Sequence, residues 1–411
     1  MLFSTKSYVL LKNRLQRRYQ NRLKKLNQNF KVLPKSKTAS WLKFNSRDIS
    51  DFSPLNWYFL EQVETLTIYL SAQEHLSTDD SFSDADNELF ERWNKSEFAD
   101  VFLKLLNQGH SISLANKKAS SVYDEHLIAF GNFHILKKSH PNKNYRIQPS
   151  LGDQKKKNGI GLKLGTTLHL EGKELKLMTT SMKEMKTFSQ RIELALKLIK
   201  IHSASSWDRF AAFTDVIIPI KQVEFVSYSH QELPGTSMIN LYDRDFVDLL
   251  DDLIHENGHH HLNYYLNLEK LIDEPIDCIY YSPWRTTLRP LRGIYHAYFT
   301  FFWAFKLFSD FIFSVQNESP LYEFSPIEKE KMAWRTLEEY LMLSYTFEDL
   351  KWARKKELIS PDGWELIEQQ QAYLKKFAPK LKKIEGLLGQ HKKDYLNLKK
   401  TLKAAQKRFR K

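Results

Sequence analysis

The chain has 411 residues, and its 62 Lys and Arg against 49 Asp and Glu give a net charge of +13. An aromatic content of 13%, with only 13 Gly and 13 Pro, favours a folded protein with a sizeable core over a disordered one. The single cysteine, Cys278, excludes an intramolecular disulfide. We find no run of about 18 apolar residues and no secretory signal pattern, so we expect no transmembrane segment. The near absence of cysteine favours a cytoplasmic location.

The positive charge is concentrated at the two ends of the chain. Residues 1–47 carry 13 Lys and Arg without any acidic residue, and residues 375–411 carry 14 against two acidic residues. The part between them has a net charge of −12. Basic ends of this kind could bind a nucleic acid, an anionic membrane or an acidic peptide, or they could be solvated tails or helix faces. An acidic segment of a peptide or protein substrate is the favoured partner, and nucleic acid is the less favoured one.

The first third of the chain has mainly helical patterns. Leucine and tyrosine recur at helical spacing over the first 30 residues, and residues 55–77 and 87–107 have amphipathic helical patterns. After about residue 120 the pattern alternates, which predicts strands at 126–136 and one or two more between 161 and 180. Residues 183–202 return to helical spacing.

The second half places a short sheet before a long helix. VIIPIKQVEFVSYS is rich in β-branched residues and predicts a strand, and LPGTSMINLYD predicts a turn with a short strand. We predict helices at about 244–271 and 291–314, an irregular segment between them, and only helices from Pro326 onward. The fold class is therefore α+β, predominantly helical, with a small sheet beside a central motif helix and an all-helical C-terminal region.

These patterns suggest four regions along the chain. Residues 1–50 form a basic helical segment and residues 51–115 a helical region. Residues 116–320 form a metal-binding catalytic core, and residues 321–411 a C-terminal helical region with a basic tail.

The residues His255 to His259 form an H-E-x-x-H motif inside the predicted helix. Residues four apart lie on one helical face, so both imidazoles can bind one metal ion, with Glu256 beside the first of them. Gly258 costs the helix roughly 1 kcal/mol relative to alanine, which suggests that something approaches closely there. His260 and His261 lie about 100° and 200° around the helix from His259, and we predict a solvated or supporting pair.

The third ligand separates the possible chemistries. Leu262 and Tyr265 stand where a metzincin would have Gly and His, which excludes that class. A thermolysin-like peptidase needs a carboxylate, for which only Glu274 and Asp277 in a proline-containing loop are available. The other candidate is His296, at the start of an otherwise apolar helix.

Three arginines precede His296 in the stretch SPWRTTLRPLRGIYHAY, at positions 285, 289 and 292. Guanidinium groups bind carboxylates in a bidentate manner, and a peptidase has no general need for several of them beside its metal. Histidine-rich ligation beside an arginine suits non-haem iron(II) with a 2-oxo acid cosubstrate.

Three stretches, LPGTSMINL, HENGHHHLN and SPWRTTLRPLRGIYHAY, follow one another within residues 220–310. In this order and spacing they resemble a bacterial family of H-E-x-x-H peptide-modification proteins, regarded as 2-oxoglutarate-dependent peptide β-hydroxylases. The resemblance implies oxygen-dependent hydroxylation of a side-chain β-carbon during the maturation of ribosomally made peptides. It implies Fe(II) held by His255, His259 and His296, with 2-oxoglutarate converted to succinate. Residues 1–110 and 320–411 match no motif of the family.

The resemblance also implies roles for residues around the metal. The candidates for binding the cosubstrate or orienting the site are Arg285, Arg289, Arg292 and Asn263. Arg289 is the first choice for the distal carboxylate because the following proline fixes its backbone. Glu256 would then orient groups at the site instead of acting as a hydrolytic base.

Two alternatives remain open from the sequence. A zinc metallopeptidase would use His255 and His259 as ligands and Glu256 as general base. A non-catalytic protein would keep a structural metal site, or none, and bind an acidic partner or nucleic acid through its basic ends.

Overall fold

A computed structural model describes residues 3–32, Trp57, Leu60, short strands between 129 and 176, and then 181–223, 226–229, 235–240, 242–273, 279–314 and 321–409. The architecture is α+β and predominantly helical, as predicted. No helix within these residues is long and apolar enough to cross a bilayer. The predicted helices at 55–77 and 87–107 fall almost entirely outside the described residues.

The first long helix, α1 (Thr5–Val32), carries its apolar stripe into the core of the protein. Five of its side chains at helical spacing are less than 10% exposed: Tyr8, Leu11, Leu15, Tyr19 and Leu23. The helix packs against α3 (Ala204–Phe213) and against the motif helix described below. The basic N-terminal segment is therefore integrated into the fold through one face, and its arginines and lysines lie on the other.

Five short strands and a helix precede α3. The strands β1 (Ala129–Phe130), β2 (Phe133–Leu136) and β3 (Gly161–Leu164) form one antiparallel sheet, and β4 (Thr167–Leu170) pairs with β5 (Lys173–Lys176). Three strands therefore stand where one or two were expected after residue 160. Helix α2 (Met182–His202) begins at a capping box, in which Ser181 and Glu184 satisfy each other's backbone N–H groups.

A three-stranded sheet lies beside the motif helix, as predicted. Its central strand β8 (Thr236–Asn240) pairs in parallel with β6 (Val216–Ile220) and antiparallel with β7 (Tyr228–Ser229). The motif helix α4 (Phe246–Leu266) begins at a capping box formed by Asp245 and Asp248. It packs on β8, which fixes one of its faces.

The remaining chain is a hairpin followed by helices. Strands β9 (Tyr280–Ser282) and β10 (Thr287–Arg289) form an antiparallel hairpin in the segment that was predicted to be irregular. The helices are α5 (Leu291–Ser314), α6 (Pro326–Lys355), α7 (Pro361–Phe377), α8 (Leu381–Glu385) and α9 (Lys392–Phe409), with short 3₁₀ turns at Ala378–Lys380 and Gly389–His391. The bounds of α5 agree with the prediction.

Helix α5 is the centre of the helical part of the fold. It is apolar almost all round and packs most extensively against α6 and α4, with α7 on a further side. Two glycines of these helices stand at close approaches to neighbouring backbone. Gly258 of α4 faces α5, and the backbone carbonyl of Leu271 lies against Gly363 of α7. The predicted close approach at Gly258 is therefore confirmed.

Candidate metal centre

His255 and His259 share one face of the motif helix, and their rings meet. Their Nε2 atoms are 3.2 Å apart. If two nitrogens at this separation each lie about 2.1 Å from one ion, the N–metal–N angle is about 100°. The pair is therefore spaced as two ligands of one metal ion require. Both side chains are half-buried, and within the described part of the chain the buried Nδ1 atom of His255 has no hydrogen-bond partner.

His296 comes to the same place from the neighbouring helix. It lies in the second turn of α5, and its ring centroid is 6.2 Å from that of His259. Its Nε2 atom is buried and has no hydrogen-bond partner among the described residues. A buried imidazole nitrogen without a partner needs an explanation, and a metal ion supplies one. The ring of His296 therefore lies beside that of His259, while the group whose ligand atoms all lie within 4.8 Å of one another consists of His255, Glu256 and His259.

All three imidazoles are held in the neutral form that binds metals. Burial lowers the pKa of His255 to about 3, and the nearby cations Arg335, Arg285 and Arg209 lower it further. Burial and the neighbouring His255 also hold the pKa of His259 well below its usual value. Burial lowers the pKa of His296 to about 3. A neutral imidazole keeps its lone pair available, so these residues fit a divalent metal ion.

Glu256 is held on the sheet side of the motif helix. It is 3% exposed, and its Oε2 accepts a hydrogen bond of 2.6 Å from the hydroxyl of Ser229 on β7. Burial raises the pKa of Glu256 to about 8. A carboxylate oxygen of Glu256 and one nitrogen from each of His255 and His259 all lie within 4.8 Å of one another. The Glu256 carboxyl therefore stands next to the pair of ligands.

The three predicted arginines differ in their relation to the histidines. Arg285 lies in the hairpin turn, and its charge lowers the pKa of both His255 and His259. Arg292 is one turn before His296 on α5, and its charge lowers the pKa of His296. Arg289 ends β10 and is half-buried, with its side chain against Gly293. Arg285 is thus the arginine whose charge reaches two of the three candidate ligands.

The hairpin turn next to Arg285 has a strained backbone. Thr286 has a φ of 50°, in the left-handed region that β-branched residues rarely adopt. Such residues persist only where their surroundings hold them, and they cluster at functional sites. No sequence signal indicated this residue.

Two stacked aromatic rings, those of Phe301 and Trp284, lie beside His255, and the sequence did not predict this arrangement. The ring of Phe301 lies 4.3 Å from that of His255, and Trp284 stacks on Phe301 at 4.9 Å with an interplanar angle of 6°. The Nε1 of Trp284 donates a 2.7 Å hydrogen bond to the carboxylate of Glu339 on α6. Glu339 is fully buried and lies 3.7 Å from Arg335. The hairpin is thereby anchored to α6.

Of the two predicted alternatives for His260 and His261, a solvated or a supporting pair, solvation is wrong because both residues are fully buried. The Nδ1 of His260 accepts a hydrogen bond from the backbone N–H of Gly235, and its Nε2 lies 2.9 Å from the hydroxyl of Ser237. His260 therefore fixes the helix to the sheet. His261 lies among aromatic rings and stacks on Phe213 at 4.6 Å. The regular pattern of the helix gave no sign of what covers these faces.

Asn263 is on the motif helix one turn beyond His259 and is only 4% exposed. The motif's own asparagine, Asn257, is fully buried and donates a 2.8 Å hydrogen bond to the hydroxyl of Thr214. It therefore anchors the helix to the end of α3. Glu274 and Asp277, the carboxylates considered for a peptidase, lie outside the described residues.

The site thus combines three neutral imidazoles, a carboxyl group and a nearby guanidinium. No protein-family model matches this chain, and no curated protein matches it. What the site can do chemically follows from its own residues, and His255, Glu256 and His259 form a group that could hold a metal ion.

Proposed function

We propose that this protein is an iron(II)- and 2-oxoglutarate-dependent oxygenase that hydroxylates the β-carbon of a side chain in a peptide or protein. The observation that carries the proposal is that His255 and His259 meet on the motif helix while the ring of His296, on the helix packed against it, lies 6.2 Å from that of His259. The charge of Arg285 acts on both residues of the pair. The order of the motifs supports it, because it resembles that of the H-E-x-x-H peptide β-hydroxylases. The bacterial cytoplasm is part of the same proposal.

Each group of the site has a defined task in this proposal. The three imidazoles hold the metal, and burial keeps them unprotonated. Iron with 2-oxoglutarate supplies oxidising power toward an unactivated carbon. In this proposal the guanidinium of Arg285 pairs with a carboxylate of the cosubstrate, and we favour it over Arg289 because its charge acts on both His255 and His259. The stacked rings of Trp284 and Phe301 form an apolar wall beside His255, which limits access of water on that side.

The test is metal content combined with a turnover assay. Protein purified without oxygen is analysed for iron and zinc, then supplied with Fe(II), 2-oxoglutarate and oxygen while succinate is measured. We expect succinate from the unmodified protein, none from His255→Ala or His296→Ala, and a sharp decrease in Arg285→Ala. His391→Ala and Arg408→Ala, which change a histidine and an arginine of the C-terminal helical region, are matched controls that should retain the activity.

A zinc metallopeptidase is the second candidate, favoured by the position of the Glu256 carboxyl next to the histidine pair. In that case Glu256 would act as general base on a metal-bound water, and Glu256→Gln would abolish hydrolysis of a protein substrate while leaving zinc bound. Stoichiometric zinc without succinate under any condition would exclude the oxygenase. Succinate that persists in Glu256→Gln would exclude the peptidase.

A further inference from the structure

A basic groove runs along α1 on the side that faces the end of the motif helix. Its first part is a cavity of about 420 Å³ lined by four arginines and a lysine of α1, at positions 14, 17, 18, 22 and 25, and by Asn21 and Leu268. Each of these basic residues has another one three or four positions away, so their side chains share one face of α1. The apolar stripe of the same helix points into the core, so the groove is built on a fixed support.

The groove continues toward the candidate metal centre. A second cavity of about 500 Å³ shares Arg18 and Leu268 with the first, and Lys270 and Arg292 extend its basic lining. Arg292 lies on α5 four residues before His296, which is about 6 Å along a helix axis. The basic groove therefore ends one helical turn from a candidate metal ligand.

Two contacts hold the groove in its shape. Arg14 of α1 forms an ion pair with Glu269, and Arg18 donates a 3.3 Å hydrogen bond to the carbonyl of Leu268. Both partners lie just after the motif helix ends. These contacts fix α1 against the segment that follows the motif helix, while Arg17 and Lys25 remain exposed to solvent.

We propose that this basic groove binds an acidic segment of the polypeptide substrate and directs the adjoining residues to the metal centre. The second part of this inference, the delivery of residues to the metal centre, rests on the proposed function. Seven of the lining side chains are basic and one is acidic, which favours an anionic occupant. Guanidinium groups bind carboxylates in a bidentate manner, so a run of Asp or Glu matches this lining.

The lining favours a polypeptide over a nucleic acid. The floor of the second cavity is aliphatic, with Leu266, Leu271 and Ile272, which suits the side chains of a peptide. Among the described residues that line the two cavities there is no aromatic ring on which a base could stack. The face of α1 between residues 14 and 25 is about 16 Å long, which accommodates roughly five extended residues.

The test is binding of a fluorescein-labelled decamer of glutamate to the full chain, measured by fluorescence anisotropy in EDTA. The variant Arg17→Glu/Lys25→Glu reverses two charges inside the groove. The matched control Lys6→Glu/Lys24→Glu reverses two exposed charges of the same helix outside the lining. We expect the groove variant to bind about tenfold more weakly or worse, and the control to bind within about twofold of the unmodified protein.

Three results would overturn the inference. The first is that the decamer does not bind. The second is that both double variants weaken binding equally. The third is that a single-stranded oligonucleotide of equal charge binds the groove more tightly than the peptide does. Circular dichroism melts of both variants test whether they remain folded, so that a loss of affinity can be told from a loss of the fold. Because the assay contains no metal, its failure leaves the iron and succinate assay unaffected, and failure of that assay leaves the groove's binding intact.

Discussion

Replacing Gly258 with alanine adds one methyl group where the motif helix and α5 are closest. A Cβ at this position would lie 3.2 Å from the Cα of Thr300 and 3.2 Å from the Cδ1 of Trp303. One contact is with backbone and the other with a buried indole, so neither neighbour yields easily. Overpacking of this kind costs about 1–3 kcal/mol. Alanine in a helix gains about 1 kcal/mol over glycine, so we expect a net loss of about 0–2 kcal/mol.

A second glycine variant, Gly293→Ala, separates the effect of the clash on stability from the effect of helix propensity. Gly293 lies in the first turn of α5, and a Cβ there would be 3.4 Å from the Cβ of Arg289, an ordinary contact. Gly293→Ala should therefore stabilise the protein by about 0.5–1 kcal/mol. The difference in free energy of unfolding between the two variants should be about 1–3 kcal/mol, with Gly258→Ala the less stable.

The assay is urea unfolding of both variants in parallel, followed by tryptophan fluorescence. Gly258→Ala also moves His296 on α5 relative to the histidine pair on the motif helix, so its affinity for Co(II) should fall while that of Gly293→Ala is unchanged. A Gly258→Ala protein as stable as Gly293→Ala would refute the reasoning, because the two helices would then not be in contact at this point.

Three further predictions concern the surroundings of the site. Burial lowers the pKa of His260 to about 3, so the unfolded chain binds a proton that the folded one does not. The protein should lose about 1.4 kcal/mol per pH unit from this residue as the pH falls below about 6.5, and His260→Gln should remove that part of the slope in urea midpoints between pH 7 and 5. Trp284→Phe removes the donor to buried Glu339 and should cost about 1–3 kcal/mol in thermal or urea unfolding, whereas Phe at the exposed Trp352 should cost nothing measurable. Ser325→Ala removes the cap of α6 and should cost about 1 kcal/mol; an unchanged melting temperature would contradict this.

The sequence predicted those features that depend on a local pattern. The two candidate ligands of the motif helix follow from a spacing of four residues, and α5 follows from a long apolar run after the proline-containing segment. The close approach at Gly258 followed from the poor helix propensity of glycine, because an unfavourable residue inside a long helix needs a compensating contact.

The sequence did not predict the features that depend on residues distant in the chain. Trp284 and Glu339 are 55 positions apart, and no local pattern joins them. The β9–β10 hairpin was missed because its strands have three residues each, too short for an alternating pattern to be distinct. The expectation that His260 and His261 could be solvated was wrong because a helical angle shows in which direction a side chain points, but not which residues cover it.

The proposed groove and the candidate metal centre meet at the start of α5. Arg292 lines the basic groove and the ring of His296 lies beside that of His259, and one helical turn separates the two residues. Because both side chains stand on the same helix, their spacing is set by the helical rise and not by a loop. If both proposals hold, a polypeptide bound at Arg292 would have only a short distance to span before it reached the candidate metal centre. It follows that the residue to be modified should lie a few positions from an acidic run, at a constant separation from it.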